Sequence, residues 1–236
     1  MMPNLPLGFP VPDWTPPPRP SREPMTGRRC RVETLDVDRH AADLFAADSL
    51  DRTGASWAYL PYGPFDTLDA YVEWMTRVAN TDDPFFHAIV DLETGAAVGV
   101  ASYLRIDPAS GSIEVGHIHY SPTLQRTIAA TEAMFLMMQR AFTLGYRRYE
   151  WKCNALNAAS RNAAQRLGFS YEGVFRQARV DKGRNRDTAW YACIDREWPA
   201  LERAFRTWLD PSNFDAAGHQ KQRLSALTAP IVVARG

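Results

Sequence analysis

Cysteine is scarce and scattered in this chain. Only Cys30, Cys153 and Cys193 occur in 236 residues, with no Cys-x-x-Cys pair and no Cys/His spacing of the kind that holds a metal. Reduced thiols, not a disulfide framework, are the expectation. No apolar run approaches the ~18–20 residues that span a bilayer, and the N-terminus lacks the apolar segment of a signal peptide. A cytoplasmic protein with no membrane partner is therefore expected. Charge of one sign is missing too: 27 Lys and Arg balance 27 Asp and Glu. This argues against a nucleic-acid-binding surface spread over the molecule, so no nucleic-acid partner is expected. Without a Gly-x-Ser-x-Gly elbow, a Ser-His-Asp hydrolase is disfavoured. No internal repeat is evident.

The residues that are present describe an ordinary globular chain, 45% apolar and 23% charged, with length for one domain and extensions. The charge balance is uneven, however. Residues 140–190 carry eleven Lys and Arg against four Asp and Glu, a local basic face that suits a polyphosphate ligand better than a duplex. Residues 1–28 are proline-rich, and Leu5, Leu7, Phe9, Val11 and Trp14 among them are apolar. Proline at that density blocks helix and central strand. An ordered arm is expected, lying across the domain or on a subunit partner, which leaves a homodimer open. Residues 29–208 read as the main domain and 209–236 as a weakly patterned C-terminal extension.

Within the domain, alternation predicts strands over 29–35, 85–91, 96–105, 113–120, 149–154, 171–180 and 186–194. Helical spacing predicts helices over 40–48, 67–79, 129–144, 158–167 and 197–209, with Gly145 and Gly168 placed as C-terminal stops. Tight turns join the early strands as an antiparallel meander. Strands first, then helix–strand–helix, then a hairpin imply an α/β fold with a mixed, mostly antiparallel sheet flanked by helices.

The stretch 113–169 carries the chemistry. A loop from Leu124 opens directly into a long helix, so free N–H groups and the positive dipole end meet at one point, a ready anion site. The next helix opens on Asn157, a preferred N-cap residue, with Ser160 one turn in and Leu167-Gly168-Phe169 at its end. Gln125-Arg126-Thr127-Ile128-Ala129-Ala130, followed by Thr131-Glu132-Ala133, and the later Asn157-x-x-Ser160 resemble the GCN5-related N-acetyltransferases, and within them the RimJ/RimL-like branch.

That resemblance implies an enzyme with a single domain of that fold. It would transfer acetyl from acetyl-CoA to a primary amine of a small molecule, an amino acid or a peptide N-terminus, by direct attack in a ternary complex and without a metal. It places Gln125, Arg126, Thr127, Ile128, Ala129 and Ala130 at the CoA pyrophosphate and Asn157 at the pantetheine arm. Arg126 and Ile128 stand where the family has small residues, and a charge contact from Arg126 could compensate. The helix of Asn157 carries Ala163 and Ala164 where many members have a tyrosine. Ser160 is then the candidate to hydrogen-bond the leaving thiolate, as in RimL-like members.

Glu114 is the candidate base. Strand alternation puts it on the face opposite His117 and His119, the rival bases, unless a bulge changes the phase. By the same resemblance the aromatic segment with Trp57, Tyr59 and Tyr62 borders the acceptor, and Asp187 beside the turn at Gly183 faces the amine or fixes the turn. A non-catalytic acyl-CoA-binding regulatory module on the same fold is the alternative.

Overall fold

Helix starts are set by side chains one residue outside them. Asp36, Thr67 and Thr127 each accept a hydrogen bond from the backbone N–H three residues on, at Arg39, Ala70 and Ala130, which satisfies donors that a helix cannot pair internally. The helices they open are α1 (Val37–Asp48), α2 (Leu68–Ala79) and α3 (Ile128–Thr143). Asn157 does the same for α4 (Ala158–Arg166), and α5 (Trp198–Leu209) and α6 (Leu224–Thr228) follow. In this computed structural model, residues 5–236 are described; Pro3 of the arm lies outside them.

Eight strands form one sheet: β1 (Met25–Thr26), β2 (Cys30–Thr34), β3 (Phe85–Asp91), β4 (Ala97–Asp107), β5 (Ser112–Tyr120), β6 (Arg148–Asn154), β7 (Ser170–Asp181) and β8 (Arg184–Ile194). Their order is β1-β2-β3-β4-β5-β6-β8-β7. Every neighbouring pair is antiparallel except β5 and β6, which run parallel. The expected α/β architecture with a mixed, mostly antiparallel sheet is thus the observed one. The last hairpin is tighter than expected. Its strands run on to Asp181 and Arg184 and leave only Lys182 and Gly183 in the turn, at φ 50° and 72°, the left-handed pair that a two-residue hairpin turn requires.

Helices cover both faces. One core packs α3, α4 and α5 on the sheet through Met137, Tyr149, Phe169, Tyr191 and Phe205. The other packs α1 and α2 on the opposite face through Leu44, Trp57, Tyr71, Trp74 and Val100. The parallel pair matters most for the site. Register between β5 and β6 holds only from Ser112/Arg148 to Val115/Trp151, although β5 runs on to Tyr120 and β6 to Asn154. Beyond Val115 the two strands part and leave a gap in the middle of the sheet.

The arm lies across the domain: the Trp14 indole donates to the carbonyl of Ala109 at 3.0 Å and Arg22 pairs with Asp82 at 3.0 Å. The segment after α5 is built into the fold as well. Leu224 is fully buried, and the backbone N–H of Tyr171 donates to the carbonyl of Ala234 at 3.0 Å. Among the described residues no helix is long and apolar enough to cross a membrane. All three cysteines are buried and unbridged.

Candidate active site

A bulge in β5 sets the phase of the site. Val100 and Ser102 of β4 lie opposite His119 and Gly116 of β5, so three residues of β5 span what two span in β4. The extra residue is accommodated at His117, whose φ is 49°. Simple alternation therefore fails beyond Gly116, and the expectation that His117 and His119 oppose Glu114 is corrected: all three face the α1–α2 side. His119 lies flat on Trp57, ring centroids 3.6 Å apart, with Nε2 2.8 Å from the Ser56 hydroxyl and Nδ1 3.3 Å from Asp48. His117 stacks on Tyr62, whose hydroxyl lies 3.0 Å from its Nδ1. Burial pushes the His117 imidazole down to about 4, so it is neutral near pH 7.

Where β5 and β6 part, a cavity of about 280 Å³ opens. Glu114, Asn157 and Ser160 line it together, with Tyr59 of the α1–α2 loop. Nη1 of Arg105 sits 2.8 Å from each carboxylate oxygen of Glu114, and Lys152 Nζ sits 2.9 Å from Oε2. Burial pushes the Glu114 carboxyl up; Arg105 and Lys152 pull it back without cancelling the shift. Lys152 also reaches Glu150 at 2.7 Å and stands 3.7 Å over the ring of Trp190.

The N-terminus of α4 closes the other side. Asn157 Oδ1 accepts from the Ser160 N–H at 3.1 Å, and Ser160 Oγ accepts from the Trp151 indole N–H at 3.0 Å. The Ser160 hydroxyl proton is thereby left for another acceptor. Cys153 lines the same cavity, its thiol pushed up by burial.

An open groove of about 920 Å³ runs between α3, α4 and the C-terminal segment. Gln125, Arg126, Thr127, Ile128 and Ala130 form one bank. Ala129 turns into the core, 6% exposed. Arg126 has φ 63°, the conformation that explains why a small residue suits this place. Arg166 forms the floor. It donates to the Thr131 hydroxyl at 3.0 Å, lies over the Trp208 ring, and pairs with no carboxylate among the described residues. Burial pushes its pKa down. A half-buried cation without a counter-ion is suited to an anionic ligand. His219, Gln220 and Arg223 add the far bank. Trp151 lines both groove and cavity, so the two meet at the gap in the sheet.

The structure does not bring every expected residue to the cavity. Trp57 is 2% exposed and packs with Phe65 and Tyr71 beneath the loop. Tyr62 stands behind His117. Asp187 Oδ1 accepts from the Gln177 N–H at 2.8 Å and from the Asn185 amide at 3.0 Å, which fixes a second bulge, in the β7–β8 hairpin. The lining residues Arg105, Lys152, Arg186, Thr188 and Trp190, and Arg166 in the groove, were not anticipated. For the β8 row the signal was available: 186, 188 and 190 alternate with the core residues Ala189 and Tyr191. Lys182 ties the walls together, its ammonium donating to the carbonyls of Trp57 at 3.0 Å and Gly63 at 2.8 Å. Among the described residues no group of three or more His, Cys, Asp or Glu is placed to hold a metal.

The family described as acetyltransferase (GNAT) domain matches residues 29–170. Among solved structures, a GCN5-related N-acetyltransferase from Brucella melitensis is 46% identical at a TM-score of 0.91, the match covering 93% of this chain and 100% of that one. A probable acetyltransferase of the GNAT family from Chromobacterium violaceum is 39% identical at a TM-score of 0.77, covering 85% and 100%. The ribosomal L7/L12 alpha-N-protein acetyltransferase RimL shares the fold at 19% identity and a TM-score of 0.63, over 73% of this chain and 94% of that one. No curated protein matches the sequence.

Proposed function

Since the chain belongs to the GNAT acetyltransferase family, whose members use acetyl-CoA, we propose that it transfers acetyl from acetyl-CoA directly to a primary amine of a small molecule, an amino acid or a peptide N-terminus. The observation that carries this reading is the meeting of groove and cavity at Trp151. A thioester laid along the groove and an amine in the cavity approach each other through the gap between β5 and β6, from opposite faces of the sheet. No covalent enzyme intermediate is needed: the Cys153 thiol is held protonated by burial, and a thiol is a poor nucleophile beside a thiolate.

Position supports the following roles. Arg126 and Arg166 hold the diphosphate, with the backbone of 125–130 beside it. Asn157 holds the pantetheine arm. The amine nitrogen attacks the thioester carbon; the new C–N bond forms as the C–S bond breaks, and the sulfur leaves as thiolate. Ser160, its oxygen already engaged by Trp151, keeps a proton to offer that sulfur and stabilises charge that exists only as the bond breaks. The amine must lose a proton. Glu114 accepts it, made more basic by burial and held in place by Arg105 and Lys152.

The test is incubation of the full chain with acetyl-CoA and a panel of amines and N-terminal peptides. Release of free CoA with a matching mass gain of 42 Da on the amine, roughly one acetyl for one proton, is expected. Tight acetyl-CoA binding with no amine acetylated would overturn the reading in favour of a regulatory acyl-CoA-binding module.

A further inference from the structure

One row of side chains in the cavity is unsatisfied. Arg186, Thr188 and Trp190 occupy alternate positions of β8, so they share one face of the sheet, and all three line the cavity. Arg186 Nε, Thr188 Oγ1 and Trp190 Nε1 are each buried without a hydrogen-bond partner among the described residues. Buried polar atoms are nearly always paired, and a run of three exceptions along one strand calls for a reason. Each of the three can donate a proton.

The surrounding charge has the same sign. Arg105, Lys152, Arg179 and Arg186 line the cavity against one lining carboxylate, Glu114. Asp181, between Arg179 at 3.2 Å and Arg186 at 2.9 Å, serves two guanidinium groups at once. Direction along the strand is fixed too. Trp190 is the cross-strand partner of Lys152, which touches Glu114, so the Trp190 end lies nearest the reacting centre. Arg186, four residues away, lies about 13 Å farther along the strand at roughly 3.3 Å per residue.

We propose that this row is the acceptor-recognition element, and that the acceptor is a short amine carrying an anionic group several bonds from its nitrogen. The anion sits between Arg186 and Thr188, the Trp190 N–H donates to an intervening oxygen, and the amine lies toward Glu114. This deepens, and rests on, the acetyltransferase reading above. Carboxylate and phosphate share the required chemistry. A neutral amine of the same length leaves the three donors unpaired and meets the cationic wall with no compensating charge.

The experiment compares matched acceptors: amino acids and dipeptides against their C-terminal amides, and aminoalkyl phosphates against the corresponding amino alcohols, with kcat/KM read from CoA release. The charged member of a pair is expected to win by tenfold or more, and the better of the two charged series identifies the anion. Thr188→Val keeps shape and removes one donor; Trp190→Phe removes the indole N–H together with part of a ring that stacks on Phe175. Both are expected to cut that ratio severalfold, Thr188→Val while leaving the melting temperature level or higher; Arg186→Gln should cut it most. Equal rates for charged and neutral partners, or a ratio untouched by all three substitutions, overturn the inference while leaving the acetyltransferase reading standing. If no amine is acetylated, that reading falls. Calorimetric titration of the same pairs onto the protein with acetyl-CoA then decides: charged-selective binding lost in Trp190→Phe sustains the row as a binding element, and unselective or absent binding overturns it.

Discussion

One nitrogen of Arg105 touches both oxygens of Glu114, at 2.8 Å each. The contact holds a carboxylate that is 3% exposed and offsets part of the rise that burial gives its pKa. Its pKa is raised by burial and restrained by Arg105 and Lys152. The acidic limb of kcat/KM should therefore lie above pH 4.5, the ordinary value for the group. Removing a cation favours the protonated acid, so Arg105→Gln should move the limb to higher pH. Glu114→Gln should abolish it and cost about 10²–10⁴-fold in kcat/KM, with acetyl-CoA affinity retained. A full wild-type profile in Glu114→Gln would return attention to His117 and His119.

Ser160 joins a structural and a chemical contact in one hydroxyl. Ser160→Ala removes the acceptor for the Trp151 indole and should cost about 1–3 kcal/mol of stability through that orphaned donor. If the proton also meets the departing sulfur, kcat should fall by about 10²-fold with little change in KM for acetyl-CoA. Equal losses in both constants would mark a packing role alone.

In the groove, replacing either Arg126 or Arg166 should leave stability level or higher while lowering acetyl-CoA affinity. Arg126 is held at φ 63°, a conformation that costs a non-glycine residue about 1–2 kcal/mol. Arg126→Gly should stabilise the fold by about 0.5–1 kcal/mol after glycine's greater chain entropy is counted, and still weaken acetyl-CoA by about 1–3 kcal/mol. Arg166→Met removes a half-buried cation that has no carboxylate partner among the described residues; the melting temperature should hold or rise while affinity falls. Calorimetry beside thermal melts reads both, and undiminished affinity in either variant would remove that arginine from the ligand site.

His87 should make the fold acid-sensitive. It is 1% exposed in β3, and burial pushes its pKa from 6.5 down to about 3. A base with a depressed folded pKa gives stability that is present above its unfolded pKa and lost as pH falls toward the folded one. Between pH 6.5 and 5 this group alone should cost about 2 kcal/mol at 1.36 kcal/mol per unit. Urea melts at several pH values should show a shallower acid slope in His87→Leu; an unchanged slope would assign the loss elsewhere.

The starts of α1 to α4 were readable because each carries a side-chain cap one residue outside it. Thr67 and Asn157 stood in the sequence where they stand in the fold. The β5 bulge was not readable: one extra residue at His117 reverses the face of everything after it, and no residue type announces it. Arg166 escaped because its significance is the absence of a counter-ion, a property of three-dimensional neighbourhood. The C-terminal segment looked unpatterned because it docks through single contacts, such as Leu224 and the Tyr171–Ala234 hydrogen bond, and not through a repeating face. Of the residues expected near the acceptor, Tyr59 lines the cavity, whereas Trp57 was bulky enough to be core, and it is.

The Lys182 ammonium, bonded to the carbonyls of Trp57 and Gly63, joins the tip of one wall of the cavity to the backbone of the other. Hairpin and aromatic loop are consequently not independent modules. To transplant acceptor preference between relatives, an engineer would have to exchange both segments as a matched set, since a foreign loop would present its carbonyls to a lysine placed for another, and a foreign hairpin would leave these two carbonyls without their donor.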